Sequence, residues 1–345
     1  MIGSSRIVGR AAMMGAALAA LALVTACGSA TEGTDGDKTS TASATRTVKS
    51  AKDLKIANFE AGSNNSYVQA RIKGAKDAAA KLGASIELFD AGWDSTKQFN
   101  QMQTALTSGK FNAWLVQSVN SEPLCPIVKQ AIEAGIMVTI ANSPMCGAET
   151  YMPGTVAFAG SQTAATYDQW IKWVADDAMK GNVLVITGTA GGANTRNMNA
   201  AIAKYMDGTN LKIVANQPTD YSSPEAFEVA SNVLQSHPEI DVVITNWSES
   251  TQGVVKAADQ LNLTGNLRIY DLGASSWALS AIKDGTIRMT FPLVPGLEGA
   301  RSVDALGTFA DTGKAPEFID LIKDETLPSD PFITRNNVNQ HEPSF

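Results

Sequence analysis

The stretch Val183-Leu184-Val185-Ile186-Thr187-Gly188-Thr189-Ala190-Gly191-Gly192-Ala193-Asn194-Thr195-Arg196 decides the fold. Its first five residues form a nearly continuous apolar run, the pattern of a strand buried on both faces of a parallel sheet. A glycine-rich polar turn follows, and then a helical pattern over about 194–206. Strand, turn and helix make one βα step. The same step recurs on both sides of this one.

Upstream, Leu54–Phe59 reads as a strand. Val68, Ile72, Ala75, Ala79 and Leu82 then recur at spacings of four and three, one face of a helix, and Gly83 ends it. Strands follow at Ser85–Phe89, Ala113–Val116, Ile136–Ile140 and Thr155–Ala159. Between them lie helices marked by Phe99, Met102 and Leu106, and by Leu124–Ala134. The rhythm restarts with a helix at Thr166–Met179. After the opening unit come strands at 211–215, 241–245, 267–270 and 287–291. Helices fall at 224–236, 250–261 and 275–283, and a last long one runs from about 296 to 310. The tail beyond Pro316 is less regular. Repeated βα units imply parallel sheets covered by helices on both faces. There are too many strands for one comfortable sheet, and the rhythm breaks near 150–165. The expected fold is therefore α/β, with two doubly wound, Rossmann-like lobes. An eight-fold βα barrel needs one closed ring of strands, which the interruption around Met152–Ser161 opposes.

Ahead of the first strand, the chain carries Arg6 and Arg10, then an apolar run from Ala11 to Val24, then Thr25-Ala26-Cys27. The run is short for a membrane-spanning helix, which needs ~20 residues, and suits a signal peptide. The junction looks like a lipobox, so residues 1–26 are expected to be removed and Cys27 to carry acyl chains such as palmitate. Each buried methylene contributes ~0.8 kcal/mol, and stable attachment takes more than one chain. Residues 27–52, mostly Gly, Ser, Thr, Ala, Asp and Lys, read as a flexible tether.

Past the tether, roughly 290 residues remain, enough for two ordinary domains. The net charge is −7, with no Lys/Arg run, which argues against nucleic acid as a partner. Beyond Cys27 there are only Cys125 and Cys146. In an oxidising compartment the pair is expected to form a disulfide, worth roughly 3 kcal/mol for a loop of about 20 residues. Both flanks, Glu122-Pro123-Leu124-Cys125-Pro126 and Ser143-Pro144-Met145-Cys146-Gly147, read as loops. A metal site needs more ligands than this pair supplies.

In open α/β sheets, ligands bind outside the carboxyl ends of the strands. The residues there are polar or aromatic: Ser63-Asn64-Asn65-Ser66-Tyr67, Asn142-Ser143, the Gly-rich stretch to Arg196, Asp220-Tyr221, Asn246-Trp247-Ser248-Glu249 and Asp271. Amides, carboxylates and guanidinium groups present paired donors and acceptors, and Tyr and Trp present flat apolar faces. The mixture suits a polyhydroxylated ligand, although strand-end polar residues also serve as helix caps. Enzyme readings fare worse. The glycines at 188, 191 and 192 make neither a dinucleotide fingerprint nor a P-loop, so no cofactor is expected. The only histidines, His237 and His341, follow no strand, which disfavours a Ser–His–acid triad. Glu60, Glu249 and Asp271 lie near strand ends and leave a paired-carboxylate glycosidase open on spacing alone.

Taken together, several segments resemble the sugar-binding proteins of ABC importers, of the type I periplasmic-binding fold, nearest the ribose branch. They are Asn64-Asn65-Ser66-Tyr67 followed by Gly74-Ala75 and Lys81-Leu82-Gly83; Ala134-Gly135-Ile136-Met137-Val138; the Gly-rich stretch ending in Arg196; Gln217-Pro218-Thr219-Asp220-Tyr221; Lys283-Asp284-Gly285-Thr286-Ile287; and Pro331-Phe332-Ile333-Thr334-Arg335-Asn336-Asn337-Val338. The resemblance spans about Lys55 to Val338. It implies ligand-binding roles for Asn65, Tyr67, Asn142, Arg196, Tyr221, Asn246, Trp247 and Asp271. The family's Asp-Arg pair after the fourth strand is Asn142-Ser143 here, and a late glutamine is Leu293. Losing that pair removes charge-assisted bonds and argues against ribose in its usual pose. Indoles at Trp93, Trp247 and Trp277 are available, whereas Trp114 sits inside a strand and reads as core.

The resemblance also implies three crossings between lobes, near Ala157–Ser161, Pro292–Val294 and about 318–324. One lobe is then 53–158 plus about 294–320, and the other 159–293 plus about 321–345. The expected function is a non-enzymatic, lipid-anchored, monomeric receptor on the outer face of a cell membrane of the Gram-positive type. It would capture a monosaccharide or polyol and deliver it to the permease of an ABC importer. The alternatives are a sensor domain for a membrane signalling partner, or a receptor for a non-sugar small molecule.

Overall fold

A computed structural model of the chain describes residues 48–324, 326–343 and 345. The signal segment, Cys27 and the tether up to residue 47 lie outside them. Ala51 is already buried, and its N–H donates to Asp311 Oδ1 at 2.7 Å. The packed body therefore begins inside the stretch expected to be tether.

The first half of the body alternates β1 (Lys55–Glu60), α1 (Ser66–Leu82), β2 (Ser85–Asp90), α2 (Ser95–Ser108), β3 (Ala113–Val116), α3 (Ser121–Glu133), β4 (Met137–Ala141) and β5 (Ala157–Gly160). The second half runs α4 (Ala164–Ala178), β6 (Lys180–Thr187), α5 (Ala193–Met206), β7 (Asn210–Pro218), α6 (Ser223–Ser236), β8 (Val242–Thr245), α7 (Ser248–Gln260), β9 (Arg268–Gly273), α8 (Ser276–Asp284) and β10 (Met289–Pro292). The chain then adds α9 (Pro295–Thr312) and a short strand β11 (Phe318–Asp320).

These strands form two sheets, ordered β11-β5-β4-β3-β1-β2 and β10-β9-β8-β6-β7. Every pairing between named strands is parallel. The fold is thus two all-parallel α/β units, not a closed barrel. In each sheet the chain starts in the interior, steps to one edge, and then reverses. The reversals fall between β1 and β3 and between β6 and β8, and the crevice beyond the carboxyl ends at such points is where ligands bind.

Burial follows the period of two. In β6, Val183 and Val185 pack into the cluster with Trp170 and Met198, while Leu184 and Ile186 pack into the opposite cluster with Ala230 and Val254. In β1, Ala57 and Phe59 face Met102 and Trp114, and Ile56 faces Ala75 and Leu306. Both faces of both sheets are therefore covered, which is why the strands read as unbroken apolar runs. Trp114 is fully buried in this core.

The chain passes from the first sheet to the second after β5, returns after β10, and leaves again after β11, where Ile333 makes an antiparallel bridge with Thr290. Two local readings differ from the sequence expectation. The tail holds β11, whose three residues are all half-buried. Cys125 lies within α3, as the helical reading of Leu124–Ala134 has it and against the loop reading of its flank, with Pro126 inside the helix. It is joined to Cys146 by a disulfide with Cα atoms 5.5 Å apart.

Candidate functional site

The carboxyl ends of the two sheets share one cavity of about 110 Å³. One water needs about 10–15 Å³ on this measure, so the space fits about seven to eleven water-sized groups, the size of a single sugar ring. The first sheet's loops contribute Asn65 and Tyr67 after β1, Trp93 after β2, Gln117, Ser118, Asn120 and Ser121 after β3, and Asn142 and Ser143 after β4. The second contributes Thr189 and Asn194 after β6, Tyr221 after β7 and Trp247 after β8. Gln162 and Leu293 come from two of the crossings. Among the described residues, no carboxylate, ammonium or guanidinium group lines this cavity.

The polar lining is held by buried partners. Asn65 is the N-cap of α1, and its Oδ1 accepts from the Val68 N–H at 2.9 Å. Capping satisfies one orphan donor of the helix and leaves the Asn65 amide nitrogen for a ligand. The Tyr67 hydroxyl donates to Glu298 Oε2 at 2.8 Å and accepts from Asn142 Nδ2 at 2.9 Å. On the other wall, the Tyr167 hydroxyl donates to Gln162 Oε1 at 3.0 Å. Burial pushes the hydroxyls of Tyr67 and Tyr167 well above the usual phenol range, and that of Tyr221 up to about 12. All three stay neutral donors.

Aromatic side chains close the space. Trp247 stands edge-on to Tyr67, with ring centroids 5.3 Å apart, and stacks on Phe345 at 5.4 Å. At the mouth, Trp93 and Tyr221 face each other from opposite walls, 6.5 Å apart and inclined by 30°. Each lies over a glycine of its own side: a Cβ at Gly62 would overlap the Trp93 indole, and one at Gly188 the Tyr221 ring. The Trp93 Nε1–H donates to Asn64 Oδ1 at 2.8 Å. Trp93, Tyr221 and Asn142 all have positive φ (65°, 69° and 72°). Such backbone costs about 1–3 kcal/mol at a non-glycine residue and clusters at functional sites.

Five of the eight residues expected to bind ligand line the cavity: Asn65, Tyr67, Asn142, Tyr221 and Trp247. The other three do not. Arg196 is exposed, and its guanidinium turns back to the Gly191 carbonyl. Asn246 is buried at 2 % exposure beside Tyr167 and outside the cavity lining. Asp271 lies inside β9, which runs on to Gly273, and is fully buried. Its carboxylate accepts from the hydroxyls of Ser248, Thr251 and Thr290. Burial raises its pKa although these bonds oppose the shift. Glu60 is likewise buried, against Arg71, and Glu249 accepts from Ser66 at 3.3 Å. The facing carboxylates that a glycosidase requires are absent from the lining. Trp277 packs against the core of the second sheet instead. The expected list omitted Gln117, Ser118, Asn120, Ser121, Gln162 and Asn194, all of which follow strands closely and meet the same carboxyl-end rule.

The periplasmic binding protein domain family matches residues 57–315. The chain belongs to that family. Its relatives include the ribose import binding protein of Bacillus subtilis, 26% identical over 70% of this chain and 77% of that protein. The D-allose-binding periplasmic protein of Escherichia coli is 25% identical over 71% of this chain and 83% of its own length. Among solved structures, an ABC transporter solute binding protein from Mycobacterium smegmatis with bound glycerol superposes with a TM-score of 0.73 at 24% identity. It matches 85% of this chain and 99% of its own. One from Bacillus halodurans with bound myo-inositol gives 0.71 at 23% identity, covering 84% and 97%. Both share the architecture of two parallel α/β units. No helix among the described residues is long and apolar enough to cross a membrane.

Proposed function

We propose that the chain is the receptor of an ABC importer and captures one small, uncharged, polyhydroxylated ring, a monosaccharide or a cyclic polyol. The observation that carries this reading is the lining: amides, hydroxyls and indole or phenol rings without a charged side chain. Side-chain amides bond vicinal hydroxyls as donor and acceptor at once, and ring C–H faces stack on aromatics. A carboxylate or ammonium ligand would lose its hydration and find no counter-charge, a cost of several kcal/mol. The names of the relatives, which speak of ribose and allose, and the bound polyols of the two solved structures support the same class.

The lobes in this reading follow 53–158 with about 294–320 and 159–293 with about 321–345, with the first lobe extended back to Ala51 and forward to Gly160 at the end of β5, and they close on the ligand by hinge motion. Asn65, Tyr67, Asn142, Tyr221 and Trp247 bind it, with Gln162 and Asn194 added. The receptor works as a monomer held on the outer face of the membrane by lipid on Cys27, in a cell of the Gram-positive type. A thermal-shift screen of the 48–345 body tests the ligand class. A ligand at a hundred times its dissociation constant adds ~2.7 kcal/mol to stability. Neutral sugars or cyclic polyols should raise the melting midpoint; a response confined to amino acids or nucleosides would overturn the reading.

A further inference from the structure

We infer that Glu298, which does not touch the cavity, is a positioning residue for the ligand: through the Tyr67 hydroxyl it sets which end of the Asn142 amide faces the cleft. The inference rests on the reading of the cavity as the ligand site. Glu298 lies in the first turn of α9, just beyond the crossing at Leu293, and is 1 % exposed. The Tyr67 hydroxyl has a single proton, and it is given to Glu298 Oε2 at 2.8 Å. Tyr67 can therefore only accept from Asn142, and Asn142 Nδ2 is the atom that reaches it, at 2.9 Å. The Asn142 Oδ1 is left as an acceptor toward the cavity, where Asn194 Nδ2 of the opposite wall lies 3.4 Å away. One buried carboxylate thus fixes a hydrogen-bond acceptor in the cleft and a contact between its two walls.

The arrangement is reversible by one proton. A protonated Glu298 can donate to the Tyr67 oxygen. Tyr67 then donates to Asn142 Oδ1, the amide turns over, and Nδ2 faces the cavity as a donor. Two amide nitrogens repel, so the contact with Asn194 persists only if that amide turns over as well and presents its Oδ1. The charged groups around Glu298 make this proton accessible. Arg71 of α1 has its Nε 3.7 Å from Glu298 Oε1 and its Nη2 on Glu60 of β1. Asp90 at the end of β2 acts on Glu60. One guanidinium thus faces two carboxylates, all three side chains at or below 1 % exposure, and one negative charge is uncompensated. Burial pushes Glu298 up to about 7, with Arg71 and the bonds from Tyr67 and Asn142 opposing and Glu60 reinforcing the shift.

Affinity for the tightest binder among D-ribose, D-allose and myo-inositol is measured calorimetrically between pH 8 and 5.5. Losing one cleft hydrogen bond should weaken wild-type binding by about tenfold toward pH 5.5. In Glu298→Gln the side-chain oxygen faces Arg71 and the amide nitrogen faces Tyr67, which copies the protonated state. Its affinity should be pH-independent and close to the acid value of the wild type. Tyr67→Phe, which removes the hydroxyl link and leaves the direct Glu298–Asn142 bond, should show a smaller pH dependence than the wild type. A ligand-free readout separates this inference from the ligand assignment: the Asn142 side-chain amide resonances should titrate with Glu298 in the wild type and stand still in Glu298→Gln. Titrating amide signals with no sugar or polyol binding would leave the relay intact and sink the ligand class. A flat wild-type profile, or one that persists in Glu298→Gln, would overturn the relay.

Discussion

At the scale of single residues, proximity to a strand end did not decide which side chains line the cavity; their direction did. Arg196, Asn246 and Asp271 all belong to segments that reach the cleft, yet none lines it. For Asp271 the reason is visible: hydroxyls from α7 and β10 claim both carboxylate oxygens, and no local sequence pattern announces partners so distant. Asp271→Asn should accordingly lower stability, by about 1–3 kcal/mol for a disturbed buried network, with ligand affinity changed less than twofold. Arg196→Ala should alter neither, as urea unfolding and calorimetric titration would show. Trp93→Ala should weaken binding by about two- to tenfold, the scale of one aromatic contact of 0.5–1.5 kcal/mol, and hardly move the unfolding midpoint.

Glu298 gives a pH prediction of defined sign. Its pKa is raised from 4.5 in the unfolded chain to about 7 in the fold. Between those values the native state holds a proton that the unfolded chain has released, so stability falls as pH rises through the window. This group's contribution is complete below about pH 4.5 and lost above 7. The stability of the wild type relative to Glu298→Gln should therefore be greater at pH 5 than at pH 8. Chemical denaturation at the two values checks it, and an equal or reversed difference would contradict the buried position.

At the scale of elements, the alternation of strands and helices was legible because both faces of each sheet are covered. Ala113–Val116 and Val183–Thr187 announce themselves as apolar runs, and Gly83, Gly109, Gly285 and Gly313 stop helices in the left-handed conformation. What escaped was weak by the same physics. The strand β11 is three half-buried residues, too short and too mixed to show a period. The end of β9 was missed because Asp271, a polar residue, continues a strand whose hydrogen bonds to β10 do not depend on the side chain. The prolines made the flank of Cys125 read as a loop although Leu124–Ala134 read as a helix; Pro123 falls in the first turn of α3, where a missing N–H costs nothing. The disulfide ties α3 to the segment after β4, a separation of 21 residues. Replacing both cysteines by alanine should cost about 2–4 kcal/mol, measured as a lower denaturant midpoint.

At the scale of the whole molecule, two sheets built on one plan meet at their reversal points, and the chain passes between them three times. Contacts from wall to wall include Asn142 to Asn194, Ser66 to Glu249, Trp93 against Tyr221 and Tyr67 against Trp247, and Tyr67, Val68 and Ile72 of α1 join the apolar cluster of the second sheet. Such contacts are available only when the walls are together, so a ligand that bonds both should shift an opening equilibrium toward closure. The absence of charge from the lining is a property of the assembled cavity and was not legible in any one segment, since the sequence offers Glu60, Arg196, Glu249 and Asp271 near strand ends. It is also the claim most open to direct test. Calorimetric titration of the 48–345 body should compare a bound neutral monosaccharide with its uronate and its amino derivative at constant ionic strength. The neutral ring should bind saturably and one-to-one, and either charged form should lose at least about a hundredfold in affinity, since neither finds a counter-charge. Equal or tighter binding of the charged forms would contradict it.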